Sequence, residues 1–172
     1  MKQLIAILFL GISSLVTAQD NPAYQSKVST LNSTLETLYA VISGEKGEQR
    51  NWELFRYLFH EDANLIPTRR NVDSPMSARF LSPEDYINSS GDYLIKNGFY
   101  EIELSRDVQQ YGNIAQVFST YESYHSKDDT VPFMRGINSI QLLYDGSRWW
   151  IINIYWMQES EEHPIPQKYL PN

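Results

Sequence analysis

The stretch DGSRWWII, residues 145–152, is the most informative part of the sequence for the fold. Asp145-Gly146 is typical of the tight turn of a β-hairpin, and the aromatic and β-branched residues that follow favour an extended strand. The segments on either side, about 133–144 and 149–158, are both rich in strand-forming residues. The stretch therefore predicts the last hairpin of an antiparallel sheet.

Two further strands are predicted before this hairpin. From Phe99 onward, apolar Tyr100, Ile102 and Leu104 alternate with polar residues, the period of two that is typical of a half-buried strand. A second strand is predicted over about 114–126. The turns between the four strands fall at 111–112, 126–130 and 145–147.

The first half of the chain has helical periodicity instead. Apolar residues recur every three or four positions over about 22–43 and again over about 50–60, which predicts two amphipathic helices. A short strand is predicted over 63–67 and a loop over 68–82. Ser82 and Pro83 are typical of a helix start, and Asn97-Gly98 of its end. The order predicts an α+β fold in which one curved sheet wraps around three helices.

Hairpin pairing predicts which residues share a face. We place Ile102 opposite Tyr121, Arg135 opposite Ser123 and Ile137 opposite Trp156; a slip of one residue would exchange the two faces. The face under the helices then collects Tyr100, Ile102, Leu104, Ala115, Val117, Tyr121, Phe133, Ile137, Leu143, Trp150, Ile152, Ile154 and Trp156. The outer face collects Glu101, Glu103, Asp107, Phe118, Ile140, Leu142, Ile151, Tyr155 and Met157.

Two stretches carry a resemblance to a known family: LFHEDANL at 58–65, where the second helix meets the first strand, and DGSRWWII at 145–152. Together, after an amphipathic first helix, they resemble the nuclear transport factor 2-like superfamily, which includes ketosteroid isomerases and polyketide cyclases. The resemblance implies a cone-shaped fold over essentially the whole chain after residue 18. The isomerases place a carboxylate base in the strand where this chain has Leu65, Ile66 and Pro67, so their chemistry is not carried over.

The first 18 residues are predicted to be a secretory signal peptide. Lys2 precedes an apolar run, and Val16-Thr17-Ala18 resembles a cleavage site. We therefore divide the chain into a signal peptide at 1–18, a domain at 19–162 and a Pro-rich tail at 163–172, and expect a periplasmic or secreted protein. The net charge of −7 argues against nucleic-acid or membrane partners. Cysteine is absent, which excludes disulfides and thiolate metal sites.

A binding site for a small molecule is predicted on the face under the helices. Arg135 lies diagonal to Tyr121 and His125 on the predicted ladder, with Trp156 nearby. Such a group suits a ligand with a carboxylate and an apolar body. Arg106 and Tyr39 are added as further candidates. In the alternative interpretation, Arg135 pairs with an acid and His125 is exposed.

Three functions stay open at this point. The first is a non-catalytic pocket protein that binds a small anionic, apolar molecule, and the second is an isomerase, cyclase or hydrolase whose acid–base pair comes from His125, Tyr121 and Glu122. The third is an interaction domain whose cone is filled by side chains. No cofactor is predicted, and the scattered histidines do not support a metal site. The apolar outer face predicts a homodimer. The alternative is that the tail from His163 folds back over this face.

Overall fold

The computed structural model describes residues 21–71 and 74–171, and the predicted signal peptide lies outside them. In chain order the elements are α1 (Gln25–Val28), α2 (Leu31–Ile42), α3 (Trp52–Leu58), β1 (Phe59–Asn71), β2 (Ser74–Ala78), α4 (Pro83–Asn97), β3 (Tyr100–Tyr111), β4 (Ile114–Tyr124), β5 (Met134–Tyr144), β6 (Trp149–Gln158) and a 3₁₀ turn (Gln167–Tyr169). The predicted α+β class is confirmed.

The six strands form one mixed, open sheet in the order β2-β1-β6-β5-β4-β3. Strands β3 to β6 are a run of antiparallel hairpins, as predicted, whereas β1 pairs with β6 in parallel. The predicted loop at 68–82 is corrected, because β1 continues to Asn71 and pairs with β2. The helices lie on one side of the sheet, which we call the concave face; the opposite side is the convex face.

Local capping explains where the helices begin. The predicted helix over 22–43 is two helices, because the Thr30 hydroxyl accepts a hydrogen bond from the Ser33 backbone N–H and starts α2 anew. Ser82 caps α4 with Asp85 in a reciprocal capping box, and Pro83 occupies the first helical position. The sequence predicted the bounds of α4 for the same reasons.

The core lies between α2, α3 and the concave face. The apolar side of α2 buries Leu35, Leu38 and Ile42. Opposite them the sheet supplies buried side chains from three adjacent strands: Val117, Ile140, Leu142, Ile151 and Ile154. Removing this much apolar surface from water is the main source of stability in a chain of this size.

The predicted registers were wrong by one residue, and this exchanged some residues between the concave and the convex face. Tyr121 pairs with Glu103 rather than Ile102, and Trp156 pairs with Asn138 rather than Ile137. Consequently Ile140, Leu142 and Ile151 are buried on the concave face, where Glu101, Glu103 and Asn138 also lie. Ile102 is 51% exposed instead. Irregularities near Leu104 and Ile152 shift the registers, and sequence periodicity does not reveal such bulges.

The C-terminal tail lies against the convex face. The Tyr169 ring contacts that of Phe118 at a centroid distance of 5.0 Å, and the Tyr169 carbonyl accepts a hydrogen bond from the Thr120 hydroxyl at 2.7 Å. Ser105 donates to the same carbonyl. The alternative expectation, that the tail folds back over this face, is therefore confirmed.

Candidate functional site

A cavity of about 190 Å³ lies between α4 and the concave face. Helix α4 contributes Tyr86, Ser90 and Tyr93, which follow one another at helical spacing along a single side. The apolar wall comes from α2, α3, α4 and the sheet and includes Leu38, Ile42, Phe55, Leu94, Phe99 and Ile154. The polar groups at the cavity belong mainly to Glu101, Tyr121 and Asn138.

Among the described residues that line this cavity, Glu101 alone has a charged side chain. Asn138 donates a hydrogen bond from Nδ2 to Glu101 Oε1 at 3.2 Å, and the Ser123 hydroxyl donates to Oε2 at 3.4 Å. Although the cavity leaves part of the side chain accessible, burial raises the pKa of Glu101 to about 7, against the lowering effect of these two hydrogen bonds. The carboxyl group can therefore both accept and donate a proton near neutral pH.

Tyr121 is the diagonal neighbour of Glu101 across the β3–β4 pair and is 1% exposed. Its hydroxyl makes no hydrogen bond within the described ranges 21–71 and 74–171. Gly136 makes room for it, because a Cβ at that position would lie 2.7 Å from the hydroxyl oxygen. Burial and the Glu101 charge raise the pKa of Tyr121, so its hydroxyl stays protonated and can serve as a hydrogen-bond donor.

Tyr86 places a second phenol near Glu101. Its ring stacks on Phe55 at 5.4 Å and meets the Trp156 ring edge-on at 6.4 Å. Burial, followed by the Glu101 charge, raises the pKa of Tyr86, which keeps this hydroxyl protonated as well. The cavity thus combines one carboxyl group with the phenols of Tyr86, Tyr93 and Tyr121 in largely apolar surroundings.

A chain of hydrogen bonds supports Glu101 from behind. Asn138 also donates to the Tyr39 hydroxyl at 3.1 Å, and Tyr39 lies 2.6 Å from Ser119 Oγ. Ser119 donates to Glu103, which forms an ion pair with Arg106. Because the Asn138 amide is held by this chain, it presents a fixed donor to Glu101.

The structure brings only some of the predicted site residues together. Tyr121 and Trp156 line the cavity, and Tyr39 lies behind it in the hydrogen-bond chain. Arg106 is held by Glu103 and Asn32. His125 stacks on Phe133 at 4.1 Å, and its Nδ1 lies 3.2 Å from the Gly98 carbonyl. Whether any of these residues binds a ligand stays a prediction.

The predicted position of Arg135 on the concave face was wrong. Arg135 pairs in register with Glu122, and its guanidinium forms an ion pair with Glu159 on the convex side. The alternative interpretation, in which Arg135 pairs with an acid, is correct. The cation that motivated the expectation of an anionic ligand is therefore not at the cavity.

Sequence reasoning missed Glu101, Tyr86 and Asn138. Glu101 was assigned to the outer face because Tyr100, Ile102 and Leu104 alternate with it and are more apolar. An acid on the buried side of a strand contradicts that rule, and such local conflicts are typical of functional sites. Tyr86 could have been predicted from the sequence, because its spacing from Ser90 and Tyr93 places all three residues on one side of α4.

A second group of polar side chains lies away from the cavity. His60, Glu61 and Asp62 offer ligand atoms within 4.8 Å of one another, and the two acids are exposed. The three residues are consecutive in sequence, and Asp62 donates its backbone N–H to His60 Nδ1 at 3.2 Å. Exposed acidic groups of this kind are common without a bound ion.

Comparison with known proteins gives the fold and no more. No protein-family model and no curated protein matches the chain. Among solved structures, a nuclear transport factor 2-like protein of unknown function from Pseudomonas putida is 11% identical, with a TM-score of 0.57 over 85% of this chain and 95% of that one. A similar protein from Cytophaga hutchinsonii is 12% identical, with a TM-score of 0.55 over 73% and 93%.

A third similar structure, of a nuclear transport factor 2-like protein of unknown function from Silicibacter pomeroyi, is 14% identical, with a TM-score of 0.52 over 81% of this chain and 99% of that one. These likenesses show that the chain has the nuclear transport factor 2-like fold, which confirms the resemblance noted in the sequence. Within the part of the chain that the structure describes, no helix is long and apolar enough to span a membrane.

Proposed function

We propose that the cavity binds a small, largely apolar molecule and that Glu101 moves a proton on it, as in an isomerase-type reaction. The observation that carries this proposal is a carboxyl group with a pKa of about 7 at an apolar cavity that Tyr121 also lines. A general base works best when its pKa lies near the working pH. Glu101 meets that condition without a metal or cofactor.

Glu101 and Tyr121 would have different roles in this reaction. The Glu101 carboxylate takes a proton from a carbon next to a carbonyl group and returns it to the same or a neighbouring carbon, so no net proton is consumed. Tyr121 donates a hydrogen bond to the carbonyl oxygen while negative charge develops there. The Asn138 amide keeps the carboxylate in place through its hydrogen bond to Oε1.

The test measures exchange of carbon-bound protons, which requires no knowledge of the natural substrate. Acetophenone and cyclohexanone are incubated with the protein in D₂O near pH 7, and loss of their α-proton signals is followed by NMR. We expect the wild type to exceed buffer and Glu101→Gln to lose about 10²-fold or more, since general base catalysis contributes on that order. Tyr121→Phe should lose about tenfold or more.

The matched control is Glu61→Gln, which removes an exposed carboxylate outside the cavity and should leave exchange unchanged. A wild type that exchanges no faster than Glu101→Gln on both ketones would contradict proton transfer. The cavity would then be assigned to binding alone, the function that sequence reasoning placed first.

We also propose that the protein acts outside the cytoplasm. The support is the charged start, apolar run and small-residue site in the first 18 residues. Amino-terminal sequencing of protein recovered from its own host should begin at or next to Gln19. A chain that retains Met1 would contradict export by this route.

A further inference from the structure

We propose that the convex face binds a neutral polysaccharide, whose sugar rings lie along a row of side-chain amides and stack on the aromatic rings beside it. This inference goes beyond the proposed function, because it concerns the opposite face of the sheet from the cavity. Three features of the convex face support it: the composition of one row of side chains, the apolar side chains that border this row, and the charge of the groove that lies there.

A row of side-chain amides crosses the convex face from strand to strand. Its members pair directly with one another, so they all project from the same side of the sheet. In the strand order β3, β4, β5, β6 and β1, they are Gln109, Gln116, Gln141, Asn153 and Asn64. We call these residues the amide row. At the usual spacing between strands the amide row is about 19 Å long, which suits an extended chain of sugar units.

The amide row keeps hydrogen-bonding capacity for a ligand. Gln116 donates from Nε2 to Gln109 Oε1 at 2.8 Å, and Asn153 donates from Nδ2 to Gln141 Oε1 at 3.5 Å. Each amide has two N–H donors and a carbonyl acceptor, so these bonds use only part of what the row offers. Hydroxyl groups also both donate and accept. A sugar chain therefore presents the kind of polar group that the amide row can bind along its whole length.

Apolar side chains border the amide row on both sides. In the next row on one side, Phe118 and Tyr155 lie on either side of Ser139, whose small side chain leaves space between the two rings. The next row on the other side consists of Tyr111, Ile114, Leu143 and Trp150. The face of an aromatic ring is negative, so it attracts the C–H groups of a sugar ring. The convex face thus offers both kinds of contact that a sugar makes.

A groove of about 330 Å³ lies where the amide row meets the C-terminal tail, and this volume is within the range of ligand pockets. Residues that line it include Gln109, Gln116, Phe118, Ser139, Tyr155 and Tyr169. The Thr120 hydroxyl donates to the Tyr169 carbonyl at 2.7 Å, which holds the Tyr169 ring beside that of Phe118. The tail therefore supplies one wall of the groove.

The charge of the groove favours an uncharged ligand. Among the described residues that line it, Asp107 alone is charged. Arg135 lies on the same face but is paired with Glu159, and the Lys168 ammonium packs over the Tyr169 ring at 4.5 Å without lining the groove. An anionic chain would meet Asp107 and a protein of net charge −7. A neutral glycan avoids this repulsion and complements the uncharged amide row.

Affinity gel electrophoresis of the chain after residue 18 measures binding, because a polysaccharide held in the gel retards a protein that binds it. The neutral probes are hydroxyethyl cellulose, dextran, galactomannan and mixed-linkage β-glucan. Carboxymethyl cellulose is the anionic comparison, and glycol chitosan at pH 6 is the cationic one. We expect retardation by at least one neutral glycan, with a dissociation constant about fivefold or more below that for either charged glycan in physiological salt.

Two variants test the two parts of the surface. Gln141→Ala, in the middle of the amide row, should weaken binding about threefold or more, as loss of hydrogen bonds does. Its control is Gln110→Ala, because Gln110 follows Gln109 in β3 and its side chain lies on the other face. Tyr155→Ala should weaken binding about fivefold or more. Its control is Phe133→Ala, since both rings are 43% exposed and Phe133 does not line the groove.

Circular dichroism checks that all four variants are folded, and both controls should bind as the wild type does. Retardation by none of the neutral glycans would overturn the inference. A charged glycan that binds as tightly as the best neutral one would overturn it too, as would equal effects of a variant and its control.

Light scattering distinguishes a glycan from a second copy of the chain. An intact chain that is a dimer, and that Tyr155→Ala converts to a monomer, would assign this surface to self-association and overturn the inference. These outcomes are also independent of the proposed function. Proton exchange on ketones is measured at the cavity on the concave face, so it can fail while glycan binding holds, and glycan binding can fail while exchange holds.

Discussion

At the scale of single residues, Glu101 lies at a position where burial of its carboxylate lowers the stability of the folded protein. Its neighbours on the concave face of the β3–β4 pair are Ser123 and Tyr121, and one amide and one hydroxyl donate to its carboxylate. These two bonds do not compensate for burial, because the pKa of Glu101 stays raised, at about 7. A group that lowers stability and yet lies at a cavity is typical of functional sites, which is why the proposed function rests on Glu101.

Burial of the Glu101 carboxyl group predicts how the free energy of unfolding changes with pH. The unfolded chain releases this proton near 4.5 and the folded chain near 7, so between those values the folded state binds more protons and stability falls as pH rises. The difference between the two pKa values corresponds to a loss of roughly 3 kcal/mol of unfolding free energy at most. Glu101→Gln should therefore exceed the wild type in unfolding free energy at pH 8 by about 1–3 kcal/mol, and match it near pH 4.

Urea denaturation at pH 4, 6 and 8 measures this difference. Glu61→Gln, at an exposed position, provides the control and should follow the wild type at every pH. A difference between Glu101→Gln and wild type that does not change with pH would show that the Glu101 carboxyl titrates normally in the folded protein.

At the scale of elements, the sequence predicted where helices and strands occur better than how they pair. Capping residues predicted α4 from Pro83 to Asn97, because a cap is a local interaction between residues three apart. Register depends on bulges, and two of them, near Leu104 and Ile152, shifted the predicted faces. For this reason Tyr121 and Trp156 were found at the cavity, whereas Glu101 was missed and Arg135 was misplaced.

The cavity walls are joined at one end by a buried arginine that the sequence analysis did not single out. Arg50 is 6% exposed, and its guanidinium donates to the Ile42 carbonyl at 2.9 Å, the Gly44 carbonyl at 2.7 Å and the Leu94 carbonyl at 3.1 Å. The bonds link the end of α2 to α4, two of the three helices that border the cavity. They also satisfy carbonyls at helix ends that would otherwise be buried without a donor.

Arg50→Lys should destabilise the protein by about 2 kcal/mol or more, because an ammonium group cannot reproduce the fork of donors that the guanidinium supplies. Arg56→Lys is the matched control: Arg56 pairs with Glu84 at the surface, and the exchange should change stability little. Thermal or urea unfolding of both variants at pH 7 provides the comparison. Equal, small effects of the two changes would show that Arg50 does not connect the helices energetically.

At the scale of the whole molecule, the C-terminal tail reduces the apolar surface that the convex face offers to a second copy. The dimer interface predicted from the sequence included Ile140, Leu142 and Ile151, which are buried under the helices instead. Phe118 and Tyr155 do lie on the convex face, and they remain 37% and 43% exposed beside the tail. Glu159 fixes the start of the tail by pairing with Arg135 and accepting the Ile165 backbone N–H at 2.8 Å.

The homodimer predicted from the sequence is untested, and the position of the tail favours the alternative, in which the tail covers the convex face. Within residues 163–171, Pro164, Ile165, Pro166 and Tyr169 lie beside apolar side chains of β4 and β6, in the place that a second copy would occupy. We therefore expect the intact chain after residue 18 to be a monomer at micromolar concentration. Deletion of 163–172 should expose a contiguous apolar patch on an open sheet and shift the protein to a dimer.

Light scattering on the intact and shortened chains measures both states, and circular dichroism checks that the shortened chain remains folded. The matched control is Phe118→Lys in the shortened chain, which should restore the monomer, because a charge without a partner at the centre of an apolar interface is costly. A shortened chain that stays folded and monomeric would show that the convex face has no tendency to self-associate. An intact chain that is already a dimer would show instead that self-association does not require removal of the tail.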